Sequence, residues 1–112
     1  MKASITQALI LALVTSVKAC ALYNQCRCTM ADGSVNNTIT EIACQTKHDN
    51  IQGANDLGST AFLPTIDAEN VTWCNSGRSG KIFFYVENCG FRETCTASGA
   101  TGADSWCQGK TE

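Results

Sequence analysis

The chain has 112 residues, room for one small domain. It is 44% apolar and only 16% charged, with a formal charge of −2, which excludes a disordered, highly charged segment and a cationic nucleic-acid-binding or membrane-lytic peptide. Eight cysteines in so short a chain point to a disulfide scaffold, because a core of this size supplies little net stability without staples.

Residues 1–19 have the make-up of a secretory leader: Lys2, an apolar run over 5–14, then Val17-Lys18-Ala19 ahead of a cut after Ala19. The run is too short to span a bilayer, and nothing later in the chain is suited to it. The mature chain, residues 20–112, then begins at Cys20 and carries six basic residues against ten acidic ones, a net charge of −4. A cut after Ala21 would leave seven cysteines and one free thiol. A lipoprotein box with Cys20 lipidated is a rival reading, which Lys18 fits poorly. The leader routes the chain to an oxidising, extracellular compartment, and the tightest cysteine pair, Cys26 and Cys28, is C-x-C. Four disulfides among Cys20, Cys26, Cys28, Cys44, Cys74, Cys89, Cys95 and Cys107 are therefore expected in place of a zinc site, with no cofactor.

Residues 21–30 alternate as a strand, with Leu22, Cys26, Cys28 and Met30 on one face and Tyr23, Gln25, Arg27 and Thr29 on the other. Cys26 and Cys28 then point the same way and must reach different partners. Asp32-Gly33 marks a turn. Residues 36–48 have the pattern of a helix, with Thr38 and Glu41 spaced as a capping box and Ile39, Ile42, Ala43 and Thr46 on one face. Cys44 lies off that face. Residues 49–60 form a polar surface loop, and Pro64 makes the following run an edge strand at best.

Residues 71–89 predict a hairpin whose loop is 75–80. Trp73 then lies opposite Ile82 and Val71 opposite Phe84, so Val71, Trp73, Ile82, Phe84 and Val86 face the core. Thr72, Cys74, Phe83, Tyr85 and Cys89 lie on the second face, and Cys74 and Cys89 are too far apart to bond. After Cys89, one short helical turn carries Phe91 and Cys95. Residues 103–108 close the fold as a strand or last turn with Trp106 buried, and 109–112 fray. The sum is an α+β domain: a small disulfide-stapled antiparallel sheet packed with one or two short helices. A mostly-β disulfide-rich fold is the alternative.

No residue set forms a catalytic constellation. His48, the single histidine, could join Glu41 or Glu69 and Arg78 in general acid–base chemistry, but near a helix C-terminus it reads first as a surface residue favoured by the dipole. Asp67 and Glu69, two apart, could form a glycosidase-like pair, and read first as a solvated strand face. Asn36-Asn37-Thr38 and Asn70-Val71-Thr72 are N-glycosylation triplets, making Asn36 and Asn70 candidate acceptors in a eukaryotic source. Phe83 and Tyr85 are candidate partner-binding aromatics if their face is open; cover by a helix or by the disulfides is the simpler expectation.

The order of leader, Cys26-x-Cys28 strand, helix with Ala43-Cys44, Trp73-Cys74 strand, aromatic strand ending at Cys89 and terminal Trp106-Cys107 resembles the small secreted cysteine-rich effectors of filamentous fungi. Within them it is similar to the killer-toxin-like group, a small α/β sandwich of βαββαβ order. The resemblance implies a protein secreted during colonisation of a host, usually a plant, acting by binding and not by catalysis. The partner expected is a host extracellular protein or cell-surface component met by a monomer, and the acidic charge and short apolar run leave no nucleic-acid partner and no membrane span. A killer toxin or antimicrobial protein acting on competing microbes is the first alternative, and a small secreted hydrolase the second.

Overall fold

A computed structural model describes residues 20–51, 53–54 and 56–111; the expected leader at 1–19 lies outside them. In chain order the elements are β1 (Leu22–Arg27), α1 (Asn37–Asp49), β2 (Leu63–Ile66), β3 (Thr72–Asn75), β4 (Gly77–Ser79), β5 (Ile82–Phe84), β6 (Val86–Glu87), α2 (Asn88–Ala97) and β7 (Trp106–Lys110). Without the β4–β5 hairpin and the two-residue β6, the order is β-α-β-β-α-β. The α+β class expected from the sequence is the one observed.

β1 is the spine of the main sheet. It pairs antiparallel with β7 on one side, and on the other with two strands placed end to end: β3 at Gln25 and Cys26, β6 at Leu22 and Tyr23. β2 extends the sheet beyond β3, and Pro64 sits in that edge strand, where its missing N–H leaves no gap in an inner ladder. Because the neighbour of β1 changes along its length, so does the face that is covered. Cys26 and Cys28 are buried, whereas Leu22, expected on the same inward face, is exposed, and Tyr23 packs against the core.

Helix α1 starts one residue after Asn36, whose side-chain oxygen accepts from the Ile39 N–H at 3.0 Å. This N-cap, worth about 1 kcal/mol, replaces the expected Thr38–Glu41 box. The buried stripe is Thr40, Ala43, Cys44 and His48, while Ile42 is exposed. The helix is thus turned from the expected face toward Cys44, whose disulfide fixes the rotation. Thr40 Oγ1 accepts from the Cys28 N–H at 3.0 Å and donates to the Asn36 carbonyl, tying the first turn to the end of β1. Helix α2, longer than the single expected turn, is capped by the Glu87 carboxylate, which accepts from the Gly90 N–H. It turns Phe91 and Cys95 inward.

The main correction concerns residues 71–89. β3 pairs with β1 and β2, not with the chain that follows it. The hairpin present is the shorter β4–β5 unit, with Gly77 opposite Phe84 and Ser79 opposite Ile82. Its two-residue turn is Gly80-Lys81, and the positive φ of Gly80 (62°) is the glycine-first geometry that such loops favour. Ile82 is consequently 61% exposed instead of facing the core, and Phe84 is half-buried against Phe62 with ring centroids 6.0 Å apart. Two smaller corrections follow at the end of the chain. Gly109 and Lys110 belong to β7, and the Thr111 N–H donates to the Leu22 carbonyl, so residues 109–111 are paired rather than frayed, and Glu112 lies outside the described residues. In the 49–60 segment, Ala54 and Ser59 are buried, so that loop is not wholly at the surface.

The core cluster is Cys26, Cys28, Ala43, Cys44, Cys74, Val86, Phe91, Cys95 and Ala100, filled more by sulfur than by large aliphatic side chains. All eight cysteines are paired: Cys20–Cys89, Cys26–Cys107, Cys28–Cys95 and Cys44–Cys74. Cys26 and Cys107 sit opposite each other on β1 and β7, with Cα atoms 4.0 Å apart. The other two core bonds pin the helices, Cys44–Cys74 holding α1 to β3 and Cys28–Cys95 holding α2 to the end of β1. Cys20 is bonded to Cys89, so its sulfur carries no lipid.

The double variant Cys44→Ser, Cys74→Ser, with the other bonds intact, is expected to lose about 2–5 kcal/mol of stability. Urea denaturation of the oxidised protein measures this. Cys20 is exposed, whereas each of the other three pairs has at least one fully buried cysteine, so mild thiol treatment should reduce Cys20–Cys89 first, as peptide mapping after alkylation would show.

Candidate functional site

The hairpin is held at its base by Thr60. The Thr60 N–H donates to the Arg78 carbonyl at 2.7 Å, and the Arg78 N–H donates back to Thr60 Oγ1 at 3.0 Å. Gly77 is required there because a Cβ would collide with the Thr60 carbonyl. Phe83 is 42% exposed and Tyr85 39% exposed, with ring centroids 4.7 Å apart in a tilted pair and the Arg78 guanidinium 5.7 Å from the Phe83 centroid. Among the described residues neither a helix nor a disulfide covers them. The exposed Ile82 adjoins them in sequence, so the hairpin presents aromatic and aliphatic surface beside one cation.

A second constellation lies on the outer face of the main sheet. Register places Arg27 opposite Trp106 on β7, and the Cys26–Cys74 pairing places it beside Trp73 on β3. The guanidinium carbon lies 4.9 Å from the Trp73 centroid and 4.6 Å from that of Trp106, and the two indoles also meet each other, tilted, with centroids 5.7 Å apart. Each such contact is worth about 0.5–1 kcal/mol at an exposed site and more when desolvated. Trp73 is buried. Trp106, expected to be buried, is 48% exposed, because it stands on the edge strand β7, where Arg27 and the Trp73 ring cover it only in part.

Asp67 organises the turn beside this stack. Its Oδ2 accepts from Trp73 Nε1–H at 2.8 Å, and its Oδ1 accepts from the N–H groups of Glu69 and Val71 at 2.9 and 3.0 Å. The indole hydrogen bond, then the Val71 N–H, hold its carboxyl below the usual carboxylate range. Asp67 and Glu69 lie in the turn between β2 and β3, not on a strand, and Asp67 is a turn-former oriented on Trp73. Asn70, with φ 64°, completes the turn; its side chain is exposed and its carbonyl accepts from Asn37 Nδ2. The other sequon residue, Asn36, is half-buried as the α1 cap.

The residues of the general acid–base set have other positions. His48 is 6% exposed, not a surface residue, and its Nδ1 lies 2.8 Å from the Ala61 carbonyl, to which it donates. Glu41 and Glu69 are exposed, and Arg78 stacks on Phe83. Sequence reasoning missed the Trp106–Arg27–Trp73 row because its members are 33 to 79 positions apart and meet only through strand register. The one available signal was the alternation placing Arg27 opposite in direction to Cys26.

No family model, curated protein or solved structure matches this chain. Among the described residues no helix is long and apolar enough to cross a membrane. No group of three or more His, Cys, Asp or Glu side chains among them is arranged to hold a metal ion.

His48→Ala should cost about 1–3 kcal/mol in urea denaturation by leaving the buried Ala61 carbonyl unpaired. For Asp67 the folded-state pKa is depressed, so its contribution to stability is complete above a pH of about 4 and disappears as pH falls through the folded value. Asp67→Asn should therefore flatten the acid limb of the stability curve below that pH, read from urea midpoints.

Proposed function

We propose that this chain is a secreted, non-catalytic binding protein of the fungal effector kind, which contacts an extracellular host protein or cell-surface component through the β4–β5 hairpin. The observation that carries this reading is the exposed Phe83–Tyr85 pair with Arg78 beside it. Aromatics and arginine dominate interface energetics, and large apolar rings left open on a small domain mark partner surfaces. Four disulfides are typical of extracellular proteins and give a rigid frame from which a hairpin can present such a surface. The buried, hydrogen-bonded imidazole of His48 is not placed for proton transfer to a substrate, which favours binding over hydrolysis.

The test is the double variant Phe83→Ala, Tyr85→Ala. Both side chains are exposed, so its stability should stay within about 0.5 kcal/mol of the parent, while affinity for a captured host partner should fall about tenfold or more. A producing strain carrying the variant should colonise its host as poorly as a deletion strain. Full virulence of both strains, with inhibition of competing fungi or bacteria by the purified protein, would favour a killer toxin instead.

A further inference from the structure

The edge strands of this domain are not alike. β2 carries Pro64 within it, and β7 ends in Lys110 after Gly109, whose φ of 76° departs from strand geometry. Proline or lysine on an edge, and a twist away from regular geometry, hinder its pairing with another chain. β5 has none of these. Its residues are Ile82, Phe83 and Phe84, and among the described residues it pairs with β4 alone.

Register fixes where the backbone groups along this edge point. In a hairpin closed by a two-residue turn, the flanking residues Ser79 and Ile82 exchange hydrogen bonds and the next pair, Arg78 and Phe83, does not. Accordingly the Arg78 carbonyl and N–H both face away from β5 and are bonded to Thr60. Phe83 likewise turns its N–H and carbonyl away from β4. The alternation continues into β6, where Val86 lies opposite Tyr23 and the Asn88 N–H donates to the Ala21 carbonyl at 3.1 Å, so Tyr85 also points its backbone groups outward. The two exposed rings therefore belong to the two residues whose N–H and carbonyl have no backbone partner among the described residues.

The local charge decides which strand fits there. Residues 75–86 hold Arg78 and Lys81 and no carboxylate, in a chain with ten acidic residues against eight basic ones. A second copy of the chain paired through β5 would gather two Arg78 and two Lys81 side chains on one small sheet, and like charges across strands are unfavourable. We propose that the open edge of β5 takes an extended acidic segment of a partner protein as a third strand, bonded to the backbone of Phe83 and Tyr85. In such an addition the main-chain bonds supply affinity and alternate side chains supply selectivity. The Arg78 guanidinium, 5.7 Å from the Phe83 centroid, and Lys81 at the turn set the preference for carboxylates. The inference rests on the reading of the hairpin as the contact surface, and adds the partner's chemistry and its mode of pairing.

The oxidised domain is used to select from a display library of random peptides of about six residues, the usual length of a strand. Selected peptides should carry Asp or Glu alternating with apolar residues. Once synthesised and bound, they should slow amide hydrogen exchange at Phe83 and Tyr85 about tenfold or more, and Lys81→Glu should weaken their binding about tenfold. Phe83→Pro removes an outward N–H and none from the β4 ladder, so it should weaken binding further than Phe83→Ala does, with the four disulfides mapped to check the fold. Binding that needs both rings while the two amides exchange freely would overturn strand addition and leave the hairpin reading intact. Slowed amides with affinity untouched by Phe83→Ala, Tyr85→Ala would keep strand addition and remove the reading based on the rings. The proposal is also overturned if no peptide is selected, if the selected ones are basic or neutral, or if raising the protein concentration alone slows the Phe83 amide, which would make a second copy the occupant.

Discussion

The register of β1 against its neighbours is the constraint on which the rest of the molecule depends. Cys107, Cys26 and Cys74 lie in one row across β7, β1 and β3, and Cys28 stands one pleat further on. From these positions one bond closes the sheet edge and two more reach the helices. The adjacent row, on the opposite face, is Trp106, Arg27 and Trp73. A slip of one residue would exchange the faces, directing sulfur to solvent and a guanidinium into the core. The inner and outer features are thus two readings of a single alignment, and the disulfides that hold it also hold the indole–guanidinium stack.

Much of the fold was legible where the signals were local. The strand around Cys26, the helix after Asn36 and the edge strand at Pro64 each follow from a short pattern with a physical cause, and the cysteine count implied four disulfides while leaving open which cysteine bonds to which. The failures share a different cause. Alternation in residues 72–75 identifies a strand but not its partner, and β3 finds β1 some fifty positions earlier instead of the aromatic run just beyond it. The turn that does form, Gly80-Lys81, had its signal in the glycine, but the longer and more apolar alternation of 71–86 outweighed it. The exposed Phe83 and Tyr85 were named as candidates, yet whether they are covered depends on the whole hairpin being displaced from the main sheet. His48 and Asp67 were misplaced because their partners, the Ala61 carbonyl and the Trp73 indole, depend on tertiary structure.

The disulfides and the hairpin divide the work of the domain. Residues 75–88 contain no cysteine, and the hairpin within them is secured by backbone pairing, by Thr60 and by the Phe62–Phe84 ring contact. Substitutions there change the presented surface with little effect on the stapled frame. The sheet face is the opposite case: Arg27 and Trp73 belong to the frame itself, and only the edge strand, through Trp106, Gln108 and Lys110, offers positions that can vary without disturbing it. A scaffold arranged this way can alter one surface freely and the other only at its margin.

The spacing of the staples also sets an order of events during synthesis. Cys44 and Cys74 are 30 positions apart, but the other three bonds span 67 to 81 positions and all end in the segment 89–107. As the chain emerges, Cys20, Cys26 and Cys28 must stay unpaired or pair wrongly until the segment 89–107 arrives, and β7 cannot join β1 before then. Only the link between α1 and β3 can close early. The sheet therefore closes around β1 only once that segment is present, and three of the four bonds depend on thiols held apart until then.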